Sequence, residues 1–279
     1  MEPALYIVAT PIGNLSDITE RALEVLAGCA VVAAEDTRRT GQLLRGRDIA
    51  TPMTPYHEHN AERATAGLLS RLETGEAVAL VSDAGTPTIS DPGYRLVRAV
   101  QDAGHRVVPI PGACAAITAL SASGLPSDRF YFEGFLPSKP QGRRTRLEAL
   151  SGMDATLIFY ESPHRIIECL ADLEEVLGSE REAALAREVT KTFETIRRGS
   201  LADLAAWVRV DEDQSKGELV VLVGNAPQSS ETEVNAELGA LLIAMAEHMP
   251  AKQAAKTLSA YSGLKTKTLY NYLIDRRDS

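Results

Sequence analysis

Only three cysteines, Cys29, Cys114 and Cys169, occur in the 279-residue chain, and they are scattered among apolar neighbours. An odd, dispersed set argues against a disulfide framework or a zinc site and fits reduced core residues of a cytoplasmic protein. The sequence lacks any run of about 18 apolar residues, so no membrane-spanning helix is expected. Met1-Glu2-Pro3-Ala4 has no basic segment, so no signal peptide is expected either. Positive charge is short overall, with 29 Lys and Arg against 38 Asp and Glu and a net charge of −9. That balance argues against a generic nucleic-acid coat. Neither G-x-G-x-x-G nor G-x-x-x-x-G-K-[ST] is found, which disfavours a Rossmann dinucleotide site and a P-loop. No internal repeat or low-complexity stretch is evident.

What is present is an ordinary soluble composition, 44% hydrophobic and 24% charged, and a length that suggests about two domains. Apolar runs at residues 5–9, 31–34, 78–81 and 107–110 predict strands. Helical spacing at residues 18–26, 60–73 and 94–103 falls between them, which predicts a mostly parallel sheet with helices on both faces. A turn-rich stretch, Leu125 to Arg129, precedes a second unit. Its strands are expected at 130–132, 156–160, 183–186, 195–197 and 218–223, and its helices at 143–150 and 166–177. The short strands after Ala183 suggest a mixed sheet. The fold class is therefore α/β: an N-terminal α/β domain with the ligand loops (1–124), a second α/β domain closing a cleft (125–226), and a linker with a helical extension (227–279).

Three strand ends of the first unit carry loops of small residues. They are Ala9-Thr-Pro-Ile-Gly-Asn14, the long Ser82–Gly93 segment, and Pro111-Gly-Ala-Cys-Ala-Ala116. Loops at the carboxyl edge of one parallel sheet form one crevice, which is where open α/β folds bind ligands. Asp83 and Asp91 place carboxylates there, which suits a cationic or hydroxyl-rich ligand better than a free phosphate. Further polar clusters follow other strands: Glu35-Asp-Thr-Arg38, Tyr160-Glu-Ser-Pro-His-Arg165, and Arg187, Glu188 and Lys191. Such groups are costly after buried strands unless they face a cleft or form an ion-pair network. His57 and His59, one residue apart with no third ligand at a clear spacing, read as a substrate-facing loop, and no metal is expected.

From Ala240 onward six Lys and Arg stand against three acids, so this part is +3 and the remainder −12. Two helices meeting at Ser262-Gly263 resemble a helix-turn-helix. Lys252 and Lys256 share one face, and Lys265 and Lys267 open the second helix, an arrangement suited to a phosphate backbone or to a plain helical cap.

Nine motifs in order carry a resemblance to a known family. They run from Leu5–Leu15 through Glu35–Arg38, Tyr56–Asn60, the Asp83 loop, Pro111-Gly112, Ala122–Pro126, Phe132–Pro137 and Tyr160–Arg165 to Lys216-Gly-Glu218. Together they resemble the rRNA cytidine 2′-O-methyltransferases of the tetrapyrrole methylase superfamily. The resemblance implies two α/β domains with S-adenosylmethionine in the cleft between them. It also implies methylation of a cytidine ribose in the decoding region of small-subunit rRNA, on the RNA or within the ribosomal subunit. A cytoplasmic homodimer with no membrane partner and no metal is implied too.

By motif position the resemblance assigns Pro11, Gly13, Asp83, Gly85, Thr86, Ile89, Ser90, Cys114 and Ala115 to the cofactor, with walls around Tyr160 and Ala186. Cys114 departs from the small hydroxyl residue of many relatives. The first loop also departs from the glycine-rich form of the porphyrin-building branch. Asp36, Arg38, His57, His59, Glu161, His164, Arg187, Glu188 and Lys191 are candidates to face substrate. Lys252, Lys256, Lys265 and Lys267 are candidates to bind RNA. The residues alone do not choose a general base. They also leave open a tetrapyrrole or protein-residue methyltransferase, or an RNA-binding assembly factor without catalysis.

Overall fold

The computed structural model describes residues 1–226, 234 and 236–276. The chain divides into two compact units, Met1–Gly224 and Asn225–Ser279.

The first unit begins with a five-stranded sheet. Its strands are β1 (Leu5–Val8), β2 (Val31–Ala34), β3 (Met53–Pro55), β4 (Val78–Val81) and β5 (Val107–Ile110), in the order β3-β2-β4-β1-β5. All pairings are parallel. β2 and β4 are buried along their whole length. That is why they read as unbroken apolar runs and not as alternating strands. On one face α1 (Glu20–Gly28) and α2 (Thr37–Arg45) bury Val25, Leu26 and Leu44 against Val8, Val32 and Val81. On the other, α3 (Ala61–Glu73) and α4 (Tyr94–Asp102) bury Leu68, Leu72, Leu96 and Val100 against Leu5, Val78 and Leu80. Helices therefore cover both faces, as the alternating pattern predicts. The α2 helix and β3 are additions to the elements expected from sequence. α2 buries only Thr40, Gly41 and Leu44 among polar neighbours, too thin a stripe to stand out.

The helix after β5, α5 (Ala115–Ser123), ends at Gly124 in the left-handed conformation and crosses to a second sheet. That sheet is mixed, as expected. It contains β6 (Phe130–Phe135), β7 (Thr156–Glu161), β8 (Glu182–Arg187), β9 (Thr195–Ser200) and β10 (Leu219–Val223), in the order β6-β7-β10-β8-β9. β6 runs parallel to β7, and the remaining pairs are antiparallel. One face packs on α5 through Ala116, Ala119, Ile158, Ala184 and Val220. The other packs on α6 (Pro140–Leu150), α7 (Ile166–Leu177) and α8 (Leu201–Val210), where Leu147, Leu170, Leu173 and Leu204 are fully buried. Each such leucine contributes roughly 1.5–3 kcal/mol. α8 is also additional to the sequence reading. It starts in a capping box between Ser200 and Asp203.

α7 brings Asp172 beneath α6. Its Oδ2 accepts from Arg143 Nε at 2.5 Å and its Oδ1 from Arg144 Nε at 2.7 Å, with Arg143 only 1% exposed.

The second unit contains α9 (Ala236–His248), α10 (Ala251–Ser262) and α11 (Thr266–Asp275), packed around Leu242, Leu258, Leu269 and Leu273. Gly263, left-handed at φ +76°, closes α10 where the sequence places the turn. Most of the expected linker, residues 227–233, and the charged end at 277–279 lie outside the described residues. Among the described residues no helix is long and apolar enough to cross a membrane.

Candidate functional site

The three loops at the carboxyl ends of β1, β4 and β5 are tied together by backbone. Thr10 and Gly85 exchange N–H···O bonds at 2.9 and 3.0 Å, and Thr86 Oγ1 donates to the Ala113 carbonyl at 3.0 Å. Gly112 approaches the first loop so closely that a Cβ would sit 2.8 Å from the Ala9 Cβ. In the long loop Thr88 and Ser90 hold φ +75° and +62°. Left-handed threonine and serine are costly, roughly 1–3 kcal/mol each, and persist where surrounding structure fixes them.

These loops and the second sheet enclose a cleft of about 350 Å³. Ile12, Ile89, Phe135, Val189 and Val220 give it apolar walls, and the start of α5 opens into it at Cys114 and Ala115. Tyr160, at the end of β7, closes one side. Its Oη accepts the Ala116 N–H at 3.1 Å, and its ring meets Phe132 and Phe135 edge-on at 5.0 and 5.8 Å. Burial pushes the Tyr160 phenol well above its ordinary value, so it stays protonated. Asp91, Glu161 and Glu218 bring carboxylates to the same cleft.

A smaller cavity of about 230 Å³ lies beside it, lined by Thr10, Pro11, Arg39, Arg47, Ser82 and Asp83 among others. Asp83 is pinned at its rim. Its Oδ1 accepts the Asp36 N–H at 2.9 Å and its Oδ2 lies 3.3 Å from Arg39 Nη1. Glu35 sits next to it, and burial raises its carboxyl above the usual range.

The loop after β8 is the counterpart from the second sheet. Glu188 and Thr190 are left-handed, at φ +51° and +68°. Glu188 Oε1 accepts from Lys191 Nζ at 2.9 Å and from the Glu218 N–H at 2.8 Å. Lys191 also lies 3.2 Å from Glu218 Oε2, and its stem packs over Gly13, where a Cβ would fall 2.4 Å from its Cγ. Burial pushes the Glu188 carboxyl up, but the bonds from Lys191 and Glu218 outweigh it and hold it below its ordinary value. Gly217 has φ +83°, and a Cβ there would lie 2.4 Å from the Glu188 carboxylate. Gly217→Ala is therefore expected to displace Glu188 and cost roughly 1–3 kcal/mol. A denaturant melt checks this, and an unchanged midpoint would show that the two loops yield freely.

Of the residues the resemblance assigns to a cofactor, Gly85, Thr86, Ile89, Ser90, Cys114, Ala115 and Tyr160 line the larger cleft. Pro11 and Asp83 line the smaller one. Gly13 is exposed beneath Lys191, and Ala186 is fully buried in the sheet beside Val220. Cys114 is only half-buried, so it belongs to the cleft wall and not to the core set expected for all three cysteines.

Of the substrate-facing candidates, Glu161 alone lines the larger cleft, while Glu188 and Lys191 bind Glu218, another of its lining residues. Asp36 caps α2 and pairs with the exposed Arg38 at 2.7 Å. Arg187 is buried and donates to Gln214 at 3.2 Å. His59 and His164 are exposed, whereas His57 Nδ1 is buried without a partner. The His57 and His59 rings stand 6.1 Å apart. Among the described residues no group of three or more His, Cys, Asp or Glu could hold a metal. Lys252 and Lys256 on α10, Lys265 at the N-cap of α11 and Lys267 on α11 are all exposed. Phe135, Val189 and Glu218 line the cleft without having been named as site candidates, although Phe135 and Glu218 fall within motifs that carry the resemblance. Phe135 ends β6, Val189 follows β8 and Glu218 precedes β10, and only the pairing of the second sheet brings them to this edge.

Residues 4–205 match the family of Tetrapyrrole (Corrin/Porphyrin) Methylases, and residues 232–277 match the RsmI C-terminal HTH domain. The ribosomal RNA small subunit methyltransferase I of Pseudomonas aeruginosa is 53% identical over 98% of this chain and 97% of its own. That of Escherichia coli O157:H7 is 52% identical over 98% and 95%. Among solved structures, a uroporphyrin-III C-methyl transferase from Thermus thermophilus complexed with S-adenyl homocysteine superposes with a TM-score of 0.54. It is 17% identical over 80% of this chain and 98% of that one, which is a likeness of fold.

Proposed function

The chain belongs to the tetrapyrrole methylase family, and from that membership we propose that it transfers a methyl group from S-adenosylmethionine to a cytidine 2′-hydroxyl in the decoding region of small-subunit rRNA. The observation that carries this is the 53% and 52% identity, across nearly the whole chain, to two proteins named ribosomal RNA small subunit methyltransferase I. The reading includes action within the ribosomal subunit, a homodimer and a cytoplasmic setting.

The cleft fits an adenosyl cofactor. Its volume of about 350 Å³ lies in the range of small-ligand sites, roughly 300–1,000 Å³. Apolar walls suit an adenine ring, and the positive end of α5 suits a carboxylate. When bound, S-adenosylmethionine supplies a methyl group activated by its sulfonium. The chain's own residues position and exclude. Thr86, Gly85 and Ala113 fix the loop backbone, and Tyr160, met edge-on by Phe132 and Phe135, walls one side. The Glu188–Lys191–Glu218 cluster holds the facing loop in register. Alignment of an acceptor oxygen with the methyl can supply up to ~7–11 kcal/mol of the acceleration.

The testing experiment offers labelled S-adenosylmethionine with small ribosomal subunits, naked small-subunit rRNA or a tetrapyrrole precursor, and maps the label. Label on a decoding-region ribose supports the reading. Label only on the tetrapyrrole overturns it, and tight cofactor binding excludes a purely structural assembly factor.

The four exposed lysines of α10 and α11 supply the proposed RNA contacts of the C-terminal unit. Changing Lys252, Lys256, Lys265 and Lys267 to Ala together is expected to weaken RNA binding. The slope of log affinity against log salt should drop by about 0.7–0.9 for each phosphate that is no longer neutralised. An unchanged slope in a filter-binding series removes these lysines from the interface.

A further inference from the structure

The three carboxylates of the large cleft differ in what already holds them. Glu161 Oε1 accepts the Ser162 N–H at 2.7 Å and its Oε2 lies 3.2 Å from Arg165 Nη2. Glu218 Oε2 lies 3.2 Å from Lys191 Nζ. Asp91 has no cation at ion-pair distance among the described residues. Its polar neighbours are the Ser82 hydroxyl and two further carboxylates, Glu35 from the end of β2 and Asp83 from the end of β4. Tyr160 faces it from β7 and stays neutral. Arg39 pairs with Asp83, and Arg38 and His57 act at longer range on Asp83 and Glu35.

Asp91 is also held stiffly. It follows Ser90, left-handed at φ +62°, and precedes Pro92 and Gly93. Gly93 has φ +141°, and a Cβ there would fall 2.8 Å from Leu80 Cδ2. A turn this constrained holds half-buried Asp91 at the cleft wall at small entropic cost.

We propose that Asp91 is the base that takes the proton from the acceptor hydroxyl, a role that rests on the methyltransferase reading above. A lone pair of the ribose oxygen forms the new O–C bond to the methyl. The C–S bond breaks with its electron pair passing to sulfur, which becomes a neutral thioether. The hydroxyl proton passes to the Asp91 carboxylate and then to water. A carboxylate with no cation beside it keeps its basicity, whereas Glu161 and Glu218 are stabilised as anions by Arg165 and Lys191. Burial pushes the Asp91 carboxyl up to about 6, with Glu35 and Asp83 adding to the rise and the Ser82 hydroxyl opposing it. The group is thus ionised at neutral pH yet far more basic than an exposed aspartate, which suits a general base.

The test is Asp91→Asn, which keeps the shape. Three quantities are measured: kcat for methyl transfer to small ribosomal subunits from pH 5 to 9, calorimetric affinity for S-adenosylhomocysteine, and thermal melting. The expected result is a kcat lower by about 10²–10⁴. Affinity for the product should stay within about threefold, since a base acts on the barrier and not on cofactor binding. The wild-type rate should fall below about pH 6, and that limb should vanish from the residual rate of the variant. Asp91→Glu should recover part of kcat. A kcat within about threefold of wild type, a persisting acid limb, or an affinity that falls in parallel with kcat would each overturn the assignment. Failure of the underlying reading looks different: the wild-type protein itself would methylate no RNA.

Discussion

Tryptophan in place of Ala115 is expected to weaken S-adenosylmethionine binding by at least ~100-fold, about 2.7 kcal/mol or more. Ala115 opens α5 at the wall of the large cleft and is only half-buried, so an indole there projects into space and not into packed core. The cavity of about 350 Å³ would lose the room its ligand needs. Calorimetry with S-adenosylmethionine reads the loss, and an unchanged circular dichroism spectrum separates it from misfolding. Full affinity in this variant would place the cofactor elsewhere, with the cavity beside Pro11 and Asp83 as the next place to look.

Asp172→Ala is expected to cost about 3–5 kcal/mol, because it strands a charge without touching the cleft. Arg143 is 1% exposed and loses its partner at 2.5 Å, so a guanidinium is left in the core with only the exposed Glu168 carboxylate, 3.6 Å from its Nη2, to offset it. Folded domains hold only about 5–15 kcal/mol in total. At about 2–4 °C per kcal/mol for a chain of this size, the melting temperature should fall by roughly 6–20 °C.

Burial pushes the Asp172 carboxyl up, but Arg144 and Arg143 outweigh it and hold it below its ordinary value. The stabilisation is therefore complete above the unfolded pKa of about 3.9 and is lost as pH falls through the lower folded value. Wild type and variant should converge in strong acid. Removing the pair together, as Arg143→Met with Asp172→Leu, should recover most of the loss. A double variant as unstable as the single one would show that the pair fixes the packing of α6 on α7 in some way other than charge.

Much of this architecture was legible because of where the strands lie. β1, β2 and β4 are covered on both faces, so their apolar runs stand out between polar loops. α2 escaped because three arginines and a glutamine crowd its short stripe, and β3 because three residues at a sheet edge carry no period. α8 escaped for another reason. Its Ser200 cap and its spacing of Leu201, Leu204 and Val208 were visible, but short strands on either side dominated the pattern.

At the site, small residues marked the loops correctly but not which way each side chain turns. Asp83 and Gly85 are two positions apart and line different cavities. Asp91 was in plain view as a carboxylate. What distinguishes it is the absence of a cation partner among the described residues: Arg165 reaches Glu161 from four residues along the chain, but Lys191 reaches Glu218 only through the fold. Ordering of the second sheet was beyond reach for a similar reason. β7 and β8 both pair with β10 and not with each other, and no local pattern encodes that choice.

The position of β10 bears on how the chain is made. It is the last strand of the second sheet in sequence and the middle one in space. During synthesis the first sheet can close once residues through β5 have emerged. β7 and β8, however, each present a bare hydrogen-bonding edge until residues 219–223 follow. The whole stretch from β7 to β10 thus passes into the cell with two unpaired strand edges, at residues 157–161 and 183–187, both largely apolar. Those edges are the places where a nascent or prematurely ended chain would stick to its neighbours or engage a chaperone. A released chain that ends just before Leu219 has every strand of the first sheet but lacks the middle strand of the second.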